Sequence, residues 1–214
     1  MDQLLFCRSN KLVGNQVSEG ALEFAYQGPL VEFVGESALV AVSGKVNFNI
    51  IAKNGKTKYG IPNKSFILTN GDKVDILSTI NSVYGYLSIA GGFKLKEIKG
   101  SVSTLVRAKI GPNNGDKLKP DDKIFCNDPL SKNKIKKFKF DLDQDNSIRV
   151  MKGLQVDYFS KKSQEDFFSK EYKVTRLTDR MGMRLEGEKI ENIVNKNIKS
   201  EGITKGSIQI PGDG

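Results

Sequence analysis

The segment Phe66-Ile-Leu-Thr-Asn-Gly-Asp-Lys-Val-Asp-Ile-Leu77 carries the pattern that decides the fold of this chain. Two short apolar runs, Phe66–Thr69 and Lys73–Leu77, flank the dipeptide Asn70-Gly71. An Asn-Gly pair between two such runs is the strongest short-range signal of a β-hairpin, because both central residues of the favoured turn take positive φ. The segment therefore predicts an antiparallel hairpin with its turn at Asn70-Gly71.

The same pattern extends along the chain on both sides of this segment. A second Asn-Gly pair, Asn54-Gly55, follows the strand-like run Asn47–Ala52. Further strand-like runs occupy Leu22–Tyr26, Leu30–Val34, Ala38–Val42, Tyr84–Ala90, Ile148–Met151, Tyr172–Leu177, Met183–Glu186 and Gly206–Ile210. Regular turn signals between short runs favour barrel or sandwich layers over alternating βαβ units, so we predict a mainly β chain.

Two segments predict short helices. Residues 2–14 have Asp2 as an N-cap, leucines on one face and Gly14 at the end. The sequence Ser163-Gln-Glu-Asp166 has the form of a capping box, with Ser163 as the N-cap. We therefore expect a helix at the start of the chain and a second helix that begins at Ser163.

The composition restricts the chemistry that the chain can perform. It has 214 residues, with 34 Lys and Arg against 25 Asp and Glu, and no histidine. A Ser-His-Asp or Cys-His catalytic group and a His-ligated metal site are therefore excluded within it. Cys7 and Cys126 lack metal-ligand spacing, so we predict no metal site. No run approaches the ~18 apolar residues of a membrane-spanning helix, and we expect a soluble, cytoplasmic protein without a membrane partner.

The net charge of +9 is a weak indication of nucleic-acid binding. Only six of the 34 cations are Arg, which leaves 34 − 6 = 28 Lys, whereas nucleic-acid sites favour Arg and aromatic side chains. The densest cluster, Lys132–Lys139, is followed directly by Asp141, Asp143 and Asp145, and adjacent runs of opposite sign are typical of a solvated linker or hairpin. We expect no nucleic-acid partner, with phosphate binding by Lys132–Lys139 as the weaker alternative.

Two segments of the first half combine glycine with polar residues. Leu87–Gly92 ends a strand in Gly91-Gly92, which lets the backbone approach a ligand or another strand closely, although a tight turn has the same signature. Gly100–Gly111 is the second, and a polar turn with a surface arginine is its competing interpretation. Its candidate donors are the hydroxyls of Ser101, Ser103 and Thr104 and the guanidinium of Arg107.

Two more candidate segments lie near the end of the chain. In Thr178–Gly187, alternate residues of a strand would place Arg180, Arg184 and Glu186 on one face beside Gly182. Three of the six arginines fall within 176–184, which favours a bidentate contact with a substrate anion, and a salt-bridge ladder is the alternative. The last segment, 200–214, places Gln209 in a short strand before a Pro-Gly turn.

Taken in order, these segments resemble the family of the bacterial 5-oxoprolinase C subunit, also called allophanate hydrolase subunit 2 or the biotin-dependent carboxyltransferase family. The matching stretches are LSIAGGF (87–93), GSVSTLVRAKIG (100–111), NGDKLKPDDKI (114–124), IRVMKGLQVDYF (148–159), YKVTRLTDRMGMRLEG (172–187) and SEGITKGSIQIPGDG (200–214). The resemblance covers nearly the whole chain. It implies cyclophilin-like β-barrel lobes with one or two short helices, in agreement with the turn pattern.

The resemblance also has departures. Gly115-Asp116 stands where the family usually has Gly-Arg, Asp121-Asp122 where it has Gly-Asp, and Leu154-Gln155 where it has Pro-Gln. Family members usually extend further at both ends, so we expect a fragment with exposed sheet edges that self-associates into a homo-oligomer.

The organisation of the chain follows from a polar segment near its middle. Asn, Asp, Lys and Ser dominate residues 127–146, which is typical of a linker. We predict an N-terminal β lobe with the opening helix at 1–126, a Lys/Asp-rich linker or hairpin at 127–146, and an incomplete C-terminal β lobe at 147–214.

The resemblance implies a subunit of an amide- or lactam-processing hydrolase, with ATP-dependent conversion of 5-oxoproline to glutamate beside a sister subunit of related fold as the leading activity. The alternatives are carboxyl transfer from carboxybiotin to urea and a regulatory binding module without chemistry. The sequence contains no GxGxxG, no GxxxxGK[ST] and no biotin-attachment Met-Lys-Met motif, so ATP or biotin would be bound elsewhere in the complex and the isolated chain would be inactive.

The site that this resemblance implies draws on the candidate segments described above. Glu186 and Asp179 are the candidates for proton transfer. The candidate substrate-binding residues are Arg180, Arg184, Ser101, Ser103, Thr104, Arg107, Gln155 and Gln209, with close backbone approach at Gly91, Gly92 and Gly182.

Overall fold

The computed structural model describes residues 1–128, 134–138, 147–194, 198–199, 202–212 and 214. Its elements are α1 (Gln3–Val13), β1 (Leu22–Ala25), β2 (Leu30–Glu32), β3 (Ser37–Ser43), β4 (Val46–Ile51), β5 (Thr57–Tyr59), β6 (Ser65–Thr69), β7 (Lys73–Thr79), β8 (Tyr84–Ile89), α2 (Lys161–Ser169), β9 (Tyr172–Thr178) and β10 (Met183–Gly187). The prediction of a mainly β chain with two short helices is confirmed for these residues.

The chain divides into two units, Met1–Leu142 and Asp143–Gly214. The predicted division into two lobes and a linker stays a prediction, because most of 127–146 lies outside the described residues, including Lys132, Lys139 and the aspartates after them. No helix in the described ranges is both long enough and apolar enough to cross a membrane.

The first unit contains two four-stranded antiparallel sheets, with strand orders β1-β8-β3-β6 and β2-β7-β4-β5. Alternate residues of their strands face a shared apolar core, since successive side chains of a strand point to opposite faces. This core contains Phe24, Val40, Val42, Val46, Phe48, Ile50, Leu68, Val74, Ile76, Leu87, Ile89 and Phe93. The other face of β3, with Leu39 and Ala41, packs against Leu12 and Val13 of α1.

The opening helix forms as the sequence predicts. The carboxylate of Asp2 accepts a hydrogen bond from the Leu5 N–H at 2.9 Å, and Gly14 takes the left-handed conformation with φ +81°. These caps satisfy backbone groups that a helix end leaves without partners.

The turn at Asn70-Gly71 does not close the predicted hairpin. β6 pairs with β3, whereas β7 pairs with β2 and β4, so the chain crosses from one sheet to the other at this turn. Gly71 has a φ of +86° but Asn70 is not among the positive-φ residues, and a turn of this kind lacks the twist that keeps two strands together. The hairpin prediction is therefore wrong here, although the turn prediction is confirmed.

Asp72 anchors this crossing. Its carboxylate accepts hydrogen bonds from the Thr69 N–H at 2.8 Å, from the Thr69 hydroxyl at 2.9 Å and from the Lys53 N–H at 3.0 Å. The bonds from Thr69, followed by that from Lys53, lower the pKa of Asp72 below its ordinary value, even though partial desolvation raises it. The side chain thus joins the end of β6 to the residues that follow β4.

The second Asn-Gly pair behaves as predicted. Asn54-Gly55 connects β4 to β5, and the Ala52 N–H donates to the Lys56 carbonyl at 2.8 Å across the loop. Only Gly55 takes positive φ, at +83°, which is the geometry of a three-residue hairpin loop.

In the second unit, three predictions are corrected. Ile148–Met151 and Gly206–Ile210 form no strand, and Met151 is 95% exposed, so the apolar run there has no described neighbour to pair with. α2 begins after Ser160, whose hydroxyl accepts the Ser163 N–H at 3.0 Å. Ser163 is therefore a buried residue of the first turn instead of the N-cap.

Candidate functional site

The candidate site is a shallow cleft formed by residues 96–116 of the first unit. The cavity has a volume of about 500 Å³. Its lining consists of Lys96, Ile98, Lys109, Gly111, Pro112, Asn113 and Asn114. It is called the loop cleft below, and it includes part of the predicted segment Gly100–Gly111.

Two small backbone loops form the frame of the loop cleft. Ile98 and Ser101 exchange backbone hydrogen bonds of 2.9 and 3.2 Å around Lys99 and Gly100, which have φ values of +53° and +73°. Positive φ at both central residues is the type I′ arrangement. Leu105 and Ile110 exchange a second pair of bonds, of 2.7 and 3.3 Å, around a 3₁₀ turn at Val106–Ala108.

Two glycines let these loops pack backbone against backbone. A Cβ on Gly115 would lie 2.1 Å from the Lys109 carbonyl carbon, and a Cβ on Gly111 would lie 2.6 Å from the Ser103 oxygen. Both glycines also have positive φ, at +70° and +122°. Only glycine satisfies both conditions, so the sequence Gly-Pro-Asn-Asn-Gly at 111–115 shapes the floor of the cleft.

The loop cleft also concentrates non-glycine residues in the left-handed conformation. Eight such residues occur in the described chain, and four of them are Lys99, Lys109, Asn113 and Asn114. This conformation costs roughly 1–2 kcal/mol for an ordinary side chain, and such strain clusters at binding and catalytic sites. The sequence does not indicate it, because lysine is an ordinary residue for a helix or a loop.

Electrostatics favour an anion in the loop cleft. The ammonium groups of Lys96 and Lys109 belong to its lining, while the carboxylate of Asp116 lies 3.4 Å from the Lys109 nitrogen. Asp116 also accepts the Lys117 N–H at 2.8 Å and lies 3.3 Å from the Lys119 ammonium. Hydrogen bonds from Lys117, then Lys119 and Lys109, lower the pKa of Asp116, so it remains ionised and helps to orient Lys109.

The amide side chains of the cleft have different roles. Asn113 donates to the Lys117 carbonyl at 3.0 Å and to the Asp122 carboxylate at 3.2 Å, so it fixes the loop. Asn114 is exposed, with φ +55°, and lies in the lining beside it. Two lysines and an exposed amide can together hold a small carboxylate that carries a carbonyl group.

The sequence-predicted residues of this region lie in the same loop but not in the lining of the cleft. Ser101 accepts the Ser103 N–H through its hydroxyl at 3.1 Å, and Arg107 is an exposed residue of the 3₁₀ turn. Thr104 is half-buried just before that turn. Sequence reasoning missed Lys96, Lys109 and Asn114, and the turn signature of Pro112–Gly115 is the signal from which the loop could have been found.

Gly91 and Gly92 lie in a tight turn with φ values of +85° and +74°. The Gly91 N–H donates to the Asn15 side chain at 2.9 Å, and the Gly92 N–H donates to the Ile89 carbonyl at 3.0 Å. A Cβ on Gly91 would lie 2.6 Å from the Asn127 carbonyl oxygen. The close approach at these glycines is therefore to other parts of the protein backbone.

The second unit holds the other predicted residues, on and near the β9–β10 hairpin. The Asp179 N–H donates to the Gly182 carbonyl at 3.0 Å, and the Asp179 carboxylate accepts the Met181 N–H at 2.7 Å. Residues 179–182 therefore form the turn, and the pairing register shifts between Met183 and Leu185. The expected alternation of residues 180, 182, 184 and 186 along one strand face is thus wrong, because 180 and 182 belong to the turn.

Within this hairpin, the predicted groups have distinct surroundings. Arg180, Arg184 and Glu186 are exposed, and Glu186 pairs across the strands with Lys173. Gly182 has open space where a Cβ would be.

Both predicted glutamines also lie in the second unit. The Gln155 carbonyl accepts the Tyr158 N–H at 3.0 Å, and Gln209 is exposed. Because the predicted residues are divided between the two units, their assembly into one site stays a prediction. Among the described residues, no group of three or more Cys, Asp and Glu side chains is arranged to hold a metal ion.

The comparison with protein families matches residues 1–214 to the model of the carboxyltransferase domain, subdomain A and B. The chain belongs to this family. The resemblance inferred from the sequence motifs is thereby confirmed, and the relatives include proteins with both of the names that the resemblance implies.

Three relatives illustrate the range of this family. The chain is 26% identical over 210 residues to the 5-oxoprolinase C subunit of Escherichia coli K12, a match that covers 96% of the chain and 65% of that protein. It is 30% identical over 205 residues to the urea amidolyase of Lachancea kluyveri, a match that covers 88% of the chain and 11% of that protein. The urea carboxylase structure of Kluyveromyces lactis superposes with a TM-score of 0.72 at 27% identity, over 91% of the chain and 18% of that structure.

Proposed function

We propose that this carboxyltransferase-family chain is part of a subunit of an enzyme complex that acts on a small amide or lactam, with 5-oxoproline as the first candidate substrate. The names of two relatives, the 5-oxoprolinase C subunit and urea amidolyase, support an enzyme of this general kind. In this proposal the chain works beside a sister subunit of related fold, which together with other components meets the requirement for ATP.

The charge of the loop cleft is the observation that carries the choice of substrate. 5-Oxoproline has a carboxylate beside its lactam, whereas urea is neutral. Lys96 and Lys109 would hold the carboxylate, and the exposed amide of Asn114 would donate to the lactam oxygen. A lactam oxygen that accepts such a bond is polarised toward nucleophilic attack, which is the step that a ring-opening hydrolase must assist.

The arginines of the β9–β10 hairpin are a second part of this proposal. Arg180 and Arg184 would bind a substrate or phosphate anion in the assembled complex, since a guanidinium forms two parallel bonds to such groups. Of the two candidate carboxylates for proton transfer, Glu186 is the better choice, because the Asp179 carboxylate already accepts two backbone N–H groups of the turn. If Arg184→Ala left the turnover of a reconstituted complex unchanged, this part of the proposal would fail.

Carboxyl transfer from carboxybiotin to urea is the second candidate function. The 30% identity to a urea amidolyase and the structural match to a urea carboxylase favour it. In this interpretation, biotin arrives on another protein or domain, and the cationic cleft binds the carboxyl group in transit. A regulatory module of the same family without chemistry is the third candidate, and it predicts binding of neither small molecule.

The test compares three small molecules on the same chain. 5-Oxoproline, pyrrolidin-2-one and urea are titrated into ¹⁵N-labelled protein, and amide shifts in 96–116 are followed. We expect saturable shifts with 5-oxoproline alone, because pyrrolidin-2-one has the lactam without the carboxylate. Lys109→Ala should weaken this binding several-fold, since each exposed charge contact contributes up to about 1 kcal/mol, whereas Lys123→Ala, an exposed lysine outside the cleft, should not.

The same titration separates the alternatives. Equal shifts with 5-oxoproline and pyrrolidin-2-one would contradict carboxylate recognition by the cleft. Shifts with urea alone would favour the carboxyl-transfer candidate, and ATP-dependent formation of glutamate by the reconstituted complex is the test of the whole activity.

A further inference from the structure

The outer edge of β5 is a sheet edge with outward-facing backbone groups. β5 is the last strand in the order β2-β7-β4-β5. The Ala52 N–H donates to the Lys56 carbonyl at 2.8 Å, and the Gly60 N–H donates to the Phe48 carbonyl at 2.8 Å. Because bonding direction alternates along an antiparallel strand, the backbone groups of Thr57 and Tyr59 point away from β4.

These outward groups are available for pairing. Within the part of the chain that the structure describes, no hydrogen bond reaches the N–H or C=O of Thr57 or Tyr59. An edge of this kind can accept one further extended strand from another protein, and the backbone bonds then supply the affinity.

An apolar cavity adjoins this edge. It has a volume of about 510 Å³, and Tyr59, Val46, Phe48 and Ile80 contribute to its walls. Tyr59 is 87% exposed and Ile80 is 44% exposed. A sheet edge that is only protected against aggregation carries charges without large apolar groups, so the exposed tyrosine beside a cavity favours a partner.

The wall of this cavity is held in place by specific contacts. The Asn63 side chain, in a residue only 7% exposed, accepts the Gly44 N–H at 3.0 Å and donates to the Gly44 carbonyl at 3.1 Å. A Cβ on Gly60 would lie 1.9 Å from the Phe48 ring, so glycine is needed for the chain to pass over that ring. A wall fixed in this way loses little entropy when a side chain enters the cavity.

The charge around the edge specifies the partner further. Residues 44–64 contain five lysines, at positions 45, 53, 56, 58 and 64, and no aspartate or glutamate. Lys45 is part of the cavity lining, while Lys56 and Lys58 lie on the edge itself. Asp72, which accepts the Lys53 N–H, offsets part of this charge at one end.

We propose that the β5 edge binds an extended acidic segment of a partner protein, which adds a strand along Thr57–Tyr59 and inserts one apolar side chain into the adjacent cavity. This inference is independent of the loop cleft and of the substrate that the enzyme uses.

The test uses a short labelled peptide that alternates Glu and Val around a central Phe, with fluorescence anisotropy as the measurement. A peptide with Lys in place of Glu is the matched probe, and a single-stranded oligonucleotide serves as a polyanion without a peptide backbone. We expect binding of the acidic peptide alone, and weaker binding at high salt because the contacts are exposed.

Two variants locate the site. Thr57→Pro removes the outward N–H without removing a bond to β4, which proline tolerates at a sheet edge, and we expect it to abolish binding. Lys56→Glu with Lys58→Glu should weaken binding roughly tenfold, because like charges then face each other across the interface. Lys123→Glu, the matched control outside this surface, should bind as the unchanged chain does.

Several results would overturn the proposal. Equal binding of acidic and basic peptides would remove the argument from charge, and unchanged binding by the double lysine variant would do the same without relying on the proline variant. Binding of the oligonucleotide in preference to the peptide would assign the surface to nucleic acid.

Discussion

The strongest prediction from this structure concerns a matched pair of glycine substitutions in the loop cleft, Gly115→Ala and Gly100→Ala. Both glycines have left-handed backbones, with φ values of +70° and +73°. An alanine in that conformation costs roughly 1–2 kcal/mol at either position. A Cβ at Gly100 meets nothing within 4 Å, whereas a Cβ at Gly115 would lie 2.1 Å from the Lys109 carbonyl carbon and 2.6 Å from the Ile110 nitrogen.

The difference between the two variants isolates the steric contact. Backbone atoms cannot rotate away as a side chain can, so the Lys109–Ile110 peptide has to move. Such overpacking costs about 1–3 kcal/mol, and we take about 2 kcal/mol as the additional cost at Gly115. Because 1.4 kcal/mol is a factor of ten, the closed loop should become roughly thirtyfold less stable in Gly115→Ala than in Gly100→Ala.

Amide hydrogen exchange measures this directly. The Ile110 N–H, which donates to the Leu105 carbonyl at 3.3 Å, reports the closure of the loop, and its protection should fall far more in Gly115→Ala. 5-Oxoproline binding should be lost in that variant and kept in Gly100→Ala. Equal protection and equal binding in the two variants would refute the reasoning that backbone contact at Gly115 shapes the cleft.

Three further predictions test other parts of the fold. Asn63→Ala should lower the free energy of unfolding in urea by about 2–3 kcal/mol through two lost buried hydrogen bonds, whereas Asn81→Ala, at a similar φ but exposed, should lose only about 1 kcal/mol; equal losses would contradict this. Hydrogen bonds from Thr69 lower the pKa of Asp72, so its stabilising contribution is complete above pH 3.8 and is lost as the pH falls through the lower pKa of the folded state. Asp72→Asn should therefore flatten the decline of Tm in acid, and a slope like that of the unchanged chain would argue against a role for this carboxylate. Leu185, 46% exposed on a two-stranded sheet, should promote self-association that Leu185→Glu reduces in light scattering, and a monomeric unchanged chain at high concentration would show that its sheet edges do not pair.

Part of the candidate site was accessible from sequence and part was not. The segment Gly100–Gly111 was identified from its glycine, hydroxyl and arginine content, and the loop cleft lies partly in it. The lining lysines were missed because Lys96 and Lys109 resemble every other lysine in a Lys-rich chain. Only the folded loop, with its left-handed backbone at Lys109 and its contact at Gly115, brings them to one cavity.

The amino-acid sequence by itself determined the local features of this protein. The caps of α1, the turns at Asn54-Gly55 and Asn70-Gly71 and the exclusion of histidine chemistry depend on residue types within a few positions of one another. The sheet to which each strand belongs was decided only by the tertiary structure. β6 and β7 face the same core from opposite sheets, because that arrangement buries Leu68 together with Val74 and Ile76 between two layers. Burial of this kind depends on residues far apart in the chain, and a turn signal of two residues carries no information about it.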